Sequence, residues 1–225
     1  MPLPLEPRRA GRLEEFIAGP NGTVVAAVRE TAGSADRSLF LSGAQGSGKS
    51  HLLNAACLQA REGGRTAFYL GLRGLSEADA ASLQGLENMH LVCLDDLQFV
   101  AGQGAWEEAL FHFINRLRAH NGSLMIASSE RLRSLPLELP DLASRLAWGL
   151  RLSLQPLEDE DKQAVLQSHG RALGIDLPDE VTDYLLKRGP RDMATLVGLV
   201  TRLQQVAFRE KRQVTVPLAR QLMKG

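Results

Sequence analysis

Cysteine is scarce in this sequence, a surplus of either charge is missing, and no long apolar run occurs; each lack closes off a class of protein. Only Cys57 and Cys93 appear in 225 residues, with no C-x-x-C pair, so no disulfide framework is expected. One falls in an expected helix and the other in an expected buried strand, and both are read as reduced thiols of a cytoplasmic protein. His51, His90, His112, His120 and His169 show no ligand spacing, so no protein-built metal site is expected. Lys plus Arg and Asp plus Glu are balanced at 26 each, which leaves no global positive field to draw the chain to nucleic acid or anionic lipid. No apolar run reaches the roughly 20 residues of a membrane-spanning helix. What remains, with 44% hydrophobic residues, is one large domain or a core with a small appendage.

The chain is organised around SLFLSGAQGSGKSHLL, residues 38–53, in which Gly43 to Ser50 match G-x-x-x-x-G-K-[ST], the Walker A pattern. Leu39, Phe40 and Leu41 supply the apolar run of a buried parallel strand, and Leu52, Leu53, Ala56 and Leu58 give a helix its inner face. In such a strand-loop-helix unit, Gly43, Gly46 and Gly48 permit backbone angles closed to other residues, and consecutive N–H groups turn in around phosphate oxygens. Lys49 reaches the outer phosphates as a point charge. Ser50 offers its hydroxyl to Mg²⁺ at a helix N-terminus, whose field favours the same anion. Gln45, Ser47 and His51, in and beside the loop, are included in the expected nucleotide contacts.

Strand and helix signals alternate through the chain. Residues 66–70 (TAFYL) read as a second strand, and Ser76 opens a short helix with Glu77 and Asp79 in its first turn. Residues 90–94 (HLVCL) form a third strand ending in Asp95-Asp96, the Walker B pattern: the first acid holds the metal through water and the second orients an attacking water. Residues 104–120 carry Trp106, Ala109, Leu110, Phe113, Ile114 and Leu117 on one helical face. Residues 123–127 and 150–154 complete five strands, which argues for an α/β fold with a parallel sheet between helices and ligands at the strands' carboxyl ends. After Pro156 only helical patterns follow, over 158–173, 178–187, 192–209 and 217–223. The expected division is a mobile segment 1–12, a nucleotide-binding domain 13–155 and a helical lid 156–225.

Together these features resemble the AAA+ ATPases. SGAQGSGKSHLLNAA, LVCLDDLQFVAG and SRLAWGLRL resemble the nucleotide-binding module of the DnaA replication initiators, while LPDLASRLAWG, LQPLEDEDK and LLKRGPRDM are similar to the Hda family of DnaA regulatory inactivators. The likeness runs from about Leu13 to Leu222. The sequence stops just after the lid, without a DNA-reading helix-turn-helix, which fits a free-standing regulator.

The resemblance implies a protein that binds ADP or ATP with Mg²⁺ and works with the DNA-loaded sliding clamp to make DnaA hydrolyse its ATP. It implies that Arg145 is an arginine finger entering the neighbour's site, and that Phe16, Ile17 and Asn21, with Leu13, wall the adenine. It places Glu130 as the sensor of nucleotide state. Where the family has a phosphate-touching arginine in the third lid helix this chain has Ala194, and Arg191, a turn earlier, is the candidate substitute. Weak or absent intrinsic hydrolysis is the expected consequence. The clamp-binding peptide is matched only by Leu3-Pro4-Leu5. Family members oligomerise, so a homo-oligomer stays open. Two other functions also stay open: an autonomous ATPase of the helicase-loader type, with Asp96 as its water-orienting residue, and a DNA-binding initiator fragment using Arg188, Arg191, Arg209, Lys211 and Arg212.

Overall fold

The apolar runs picked out by pattern form the five strands of one parallel sheet in the computed structural model, which describes residues 11–190 and 192–224. The strands are β1 (Ser38–Ser42), β2 (Ala67–Gly71), β3 (Leu91–Asp95), β4 (Ser123–Ser128) and β5 (Leu150–Ser153), in the order β2-β3-β4-β1-β5. Every pairing is parallel, with Leu41 opposite Ala127 and Leu94 opposite Ile126. β3 and β4 are buried at every position, as strands covered by helices on both faces must be.

The two-residue period of the strands sorts their side chains between two cores. Phe40, Val92, Leu94, Leu124 and Ile126 face the core that holds Trp106, Leu110 and Phe113 of α3 (Gly104–Ala119). Leu39, Leu41, Leu91, Cys93, Met125 and Ala127 face the other, with α1 (Gly22–Gly33) and α2 (Lys49–Glu62). Asp95, two residues past Cys93, therefore lies on the α2 side. Both cysteines are free and buried there, and burial pushes the Cys93 thiol well up. The short helix expected after Ser76 is a 3-10 stretch, Glu77–Leu83, whose first turn is closed by Asp79 accepting from Ser76 N and Oγ at 2.8 Å.

One helix was not foreseen from the pattern: α4 (Pro140–Leu146), which carries Arg145. Pro140 at its first turn gives up no hydrogen bond. Its approach is fixed by Glu107, which is 1% exposed. The Glu107 carboxylate accepts from Gly102 N at 2.8 Å, Glu138 N at 3.0 Å and Leu139 N at 2.7 Å. Glu107→Ala strands those donors, at about 2–4 kcal/mol in all. For a chain of this size the melting temperature should fall by roughly 5–15 °C, read by thermal denaturation; a shift within 2 °C, by the same scale, would mean that water replaces the carboxylate without loss.

The chain forms two compact units. One comprises residues 11–16, Asn21–Ala44 and Gly48–Leu154, and the other Ile17–Pro20, Gln45–Ser47 and the described part of Gln155–Gly225. In the second, α5 (Asp159–Ala172), α6 (Asp179–Arg188), α7 (Met193–Glu210) and α8 (Val216–Lys224) enclose Leu166, Val181, Leu185, Val200, Leu203 and Leu218. Asp192 caps α7 by accepting from Thr195 N at 2.8 Å.

Candidate nucleotide-binding site

The loop between β1 and α2 has the backbone of an anion cradle. Gly46 and Gly48 have φ of 77° and 97°, conformations that side chains disfavour, and Gly48 opens α2. Gly43, expected to need the same freedom, is not among the positive-φ residues; its N–H instead donates to Ser128 O at 3.2 Å and ties the loop to the end of β4. Space also requires Gly48, because a Cβ there would stand 2.8 Å from Phe16 Cε2.

Lys49 is buried at 6% exposure and donates to Gly43 O at 2.7 Å and Ala44 O at 2.9 Å. Burial pulls its pKa down, while Asp95 and Asp96 push it back up. An ammonium has three hydrogens. Two hold the loop, and the third is available to an anion. The Ser47 hydroxyl oxygen is buried without a hydrogen-bond partner. Exposed Gln45 and half-buried Gly46 complete the tip. These features fit a phosphate chain.

The residues expected to serve a cation meet at the carboxyl end of β3. Asp95 is 2% exposed, and one of its oxygens accepts from Asp96 N at 2.9 Å. The other accepts from Tyr69 Oη of β2 at 2.8 Å. Burial and the Asp95 charge push the Tyr69 pKa far up, so its hydroxyl keeps the proton it donates. Ser50, exposed on the first turn of α2, is linked through its carbonyl to Asn54 at 2.7 Å. Among the described residues no group of three or more His, Cys, Asp or Glu could hold a metal ion. Ser50 and Asp95 are oxygen donors of the kind Mg²⁺ takes, and its remaining ligands would be phosphate and water.

Asp96 is placed differently. It sits in the left-handed region at φ 63°. Arg73 Nε donates to one carboxylate oxygen at 3.2 Å and Gln98 Nε2 to the other at 2.8 Å. Gln98 in turn accepts from Ser129 N at 3.0 Å, next to exposed Glu130, whose own N–H donates to Ser128 Oγ at 3.1 Å. Sequence reasoning missed Tyr69, Arg73 and Gln98. The available signal was a tyrosine in an otherwise apolar strand beside the Walker B strand.

Near the start of α2, the rings of Phe16 and His51 lie 5.5 Å apart. Asn21 and Leu13 are buried in the same unit, whereas half-buried Ile17 belongs to the other unit. Ala194 is the second residue of α7, and Arg191 lies outside the described residues, as do Leu3, Pro4 and Leu5. In the helical unit, Arg209 and Arg212 pair with Glu210 at 3.8 and 3.0 Å, which weakens the basic face expected there.

Arg145 stands apart from the P-loop, on α4 before β5. Its Nε is buried without a hydrogen-bond partner, and it forms no ion pair among the described residues. The guanidinium carbon lies 5.6 Å from the Trp148 ring centroid and 5.8 Å from that of Phe111. Trp148 is 53% exposed beneath Arg118, which pairs with Asp36 at 3.3 Å. A cavity of about 280 Å³ opens beside Arg145, Arg118 and Trp148.

Residues 8–153 match the family described as the bacterial DnaA ATPase domain. The chain belongs to that family. Residues 159–223 match the Hda lid domain, so this DnaA-family chain carries a lid of the Hda kind. Domain III of the Thermotoga maritima replication initiation protein DnaA has a similar fold, with TM-score 0.83 at 23% identity over 95% of each chain. AMPPCP-bound DnaA from Aquifex aeolicus gives 0.72 at 24% identity, over 88% of this chain and 66% of that one. The Thermotoga maritima RuvB Holliday junction branch migration motor gives 0.71 at 19% identity, over 95% and 71%. The sheet with its C-terminal helices is thus the AAA+ P-loop fold, and the chain is a DnaA-related AAA+ protein. Among the described residues no helix is long and apolar enough to cross a membrane.

Proposed function

We propose that this protein binds ADP or ATP with Mg²⁺ and acts on DnaA, stimulating hydrolysis of DnaA-held ATP through Arg145 in concert with the DNA-loaded sliding clamp, and so restrains repeated initiation. The observation that carries the reading is the uncommitted Arg145 guanidinium on α4, with no acidic partner among the described residues. A positive group meant for another subunit's phosphates needs to be free of its own chain's carboxylates. The nucleotide cradle supports the same reading, as does the DnaA of Aquifex aeolicus, which was solved with AMPPCP.

On this reading the P-loop N–H groups and Lys49 bind the phosphates, Phe16 and His51 flank the base with Ile17 and Asn21, and Ser50 and Asp95 hold the cation. Mg²⁺, when bound, neutralises phosphate charge. Arg191 supplies the lid's cation, Glu130 reports the nucleotide's state, and the peptide around Leu3-Pro4-Leu5 meets the clamp. The experiment follows labelled ATP held by DnaA, with clamp loaded on DNA, after adding this protein with ADP. Acceleration is expected, and an unchanged decay would sink the reading.

The rival reading, an autonomous ATPase, needs Asp96 to orient the attacking water. Both of its oxygens already accept from Arg73 and Gln98. Each oxygen keeps a further lone pair for a water, so the limit comes from the lid, where Ala194 stands in place of the family's phosphate-touching arginine: steady-state turnover by the isolated protein should be at least about 10²-fold below the enzyme median of about 10 s⁻¹. Turnover near that median would hand Asp96 the catalytic role and favour the remodelling ATPase.

A further inference from the structure

Tyr69 stands where its hydroxyl can act on the cation side of the nucleotide site. β2 and β3 pair in parallel with Tyr69 opposite Cys93, so Tyr69 and Asp95 lie on the α2 face two residues apart in register. The Oη–Oδ2 hydrogen bond of 2.8 Å spans that step. The hydroxyl thus engages one of the two residues assigned to the cation, and the other, Ser50, is backed through its carbonyl by the Asn54 amide at 2.7 Å. A tyrosine hydroxyl donates one hydrogen and accepts others. A metal-bound water held by Asp95 would do the same work: donate to the carboxylate and link it to the Ser50 side.

We propose that Tyr69 is a positioning residue that substitutes for this water bridge and so lowers the dependence of nucleotide binding on Mg²⁺. The buried Asp95 carboxylate then has donors on both oxygens, from Tyr69 and from Asp96 N, whether or not a cation is present. Without the hydroxyl, one oxygen of a buried carboxylate has no donor from the protein, a costly arrangement that a hydrated cation relieves. The proposal rests on the nucleotide-binding reading above and deepens it.

The test is the ratio of ADP dissociation constants in EDTA and in Mg²⁺, measured by calorimetry on the full chain. Tyr69→Phe, which keeps the ring and its packing, should raise the ratio about tenfold over wild type, mainly by weakening binding in EDTA. Its melting temperature and its affinity in Mg²⁺ report on the fold. An unchanged or lower ratio overturns the proposal. In an Asp95→Asn background the Tyr69→Phe effect should vanish; its persistence would show that the hydroxyl acts elsewhere and would equally overturn it. Failure of wild type to bind ADP in either condition would instead remove the nucleotide reading, and this proposal with it.

Discussion

An Arg145→Ala variant should fold, bind ADP like wild type and lose the stimulation of DnaA-held ATP hydrolysis by about 10³-fold or more, the range that arginine fingers supply. The argument is electrostatic. Phosphoryl transfer spreads negative charge over the transferred group, and a guanidinium fixed beside it in a water-poor interface stabilises that charge more than it stabilises the ground state. Arg145 has the properties such a group needs. It sits on a short helix whose approach is pinned by buried Glu107, between Phe111 and exposed Trp148, with no acid among the described residues holding it.

Arg145→Lys should restore little, because an ammonium presents neither the planar fork nor the stacking surface that guanidinium offers Trp148. The readout is labelled ATP remaining on DnaA, with ADP affinity of each variant as the control. Stimulation within threefold of wild type in Arg145→Ala would exclude the finger role, even if the protein still bound DnaA.

The sheet was legible because buried parallel strands concentrate apolar and β-branched residues into short runs, as in LFL, LVCL and SLMIA. The acidic pair closing the third run and the glycines opening α2 marked the carboxyl edge in the same way. α4 was not legible. Its seven residues, PDLASRL, are too few to show a helical period, and what fixes it is Glu107, more than thirty positions earlier. The cation side divides along the same line: Asp95 and Ser50 announce themselves by motif, but Tyr69, Arg73 and Gln98 matter through neighbours that only the fold supplies. Gly43 shows the converse. The motif demands a glycine there, yet it does not adopt the left-handed backbone of Gly46 and Gly48.

Lys49→Ala should weaken ADP binding at least about 100-fold, since a hydrogen bond to a charged group contributes about 1.5–3 kcal/mol and this ammonium serves both phosphate and loop. The side chain is 6% exposed, and the Gly43 and Ala44 carbonyls that it ties together lose their donor on truncation. The variant therefore loses a charge and the shape of the cradle at once. Lys49→Arg should be nearly as poor, because a wide planar head does not fit a position defined by two carbonyls of consecutive residues. A thermal readout follows by linkage. ADP at 100 times its wild-type dissociation constant stabilises the wild-type fold by about 2.7 kcal/mol, roughly a 5–10 °C rise in melting temperature, whereas the variant gains only about 0.4 kcal/mol. Equal ADP-induced shifts in the two proteins would mean that the nucleotide is held somewhere other than this loop, and the roles given to Ser50, Asp95 and Tyr69 would go with it.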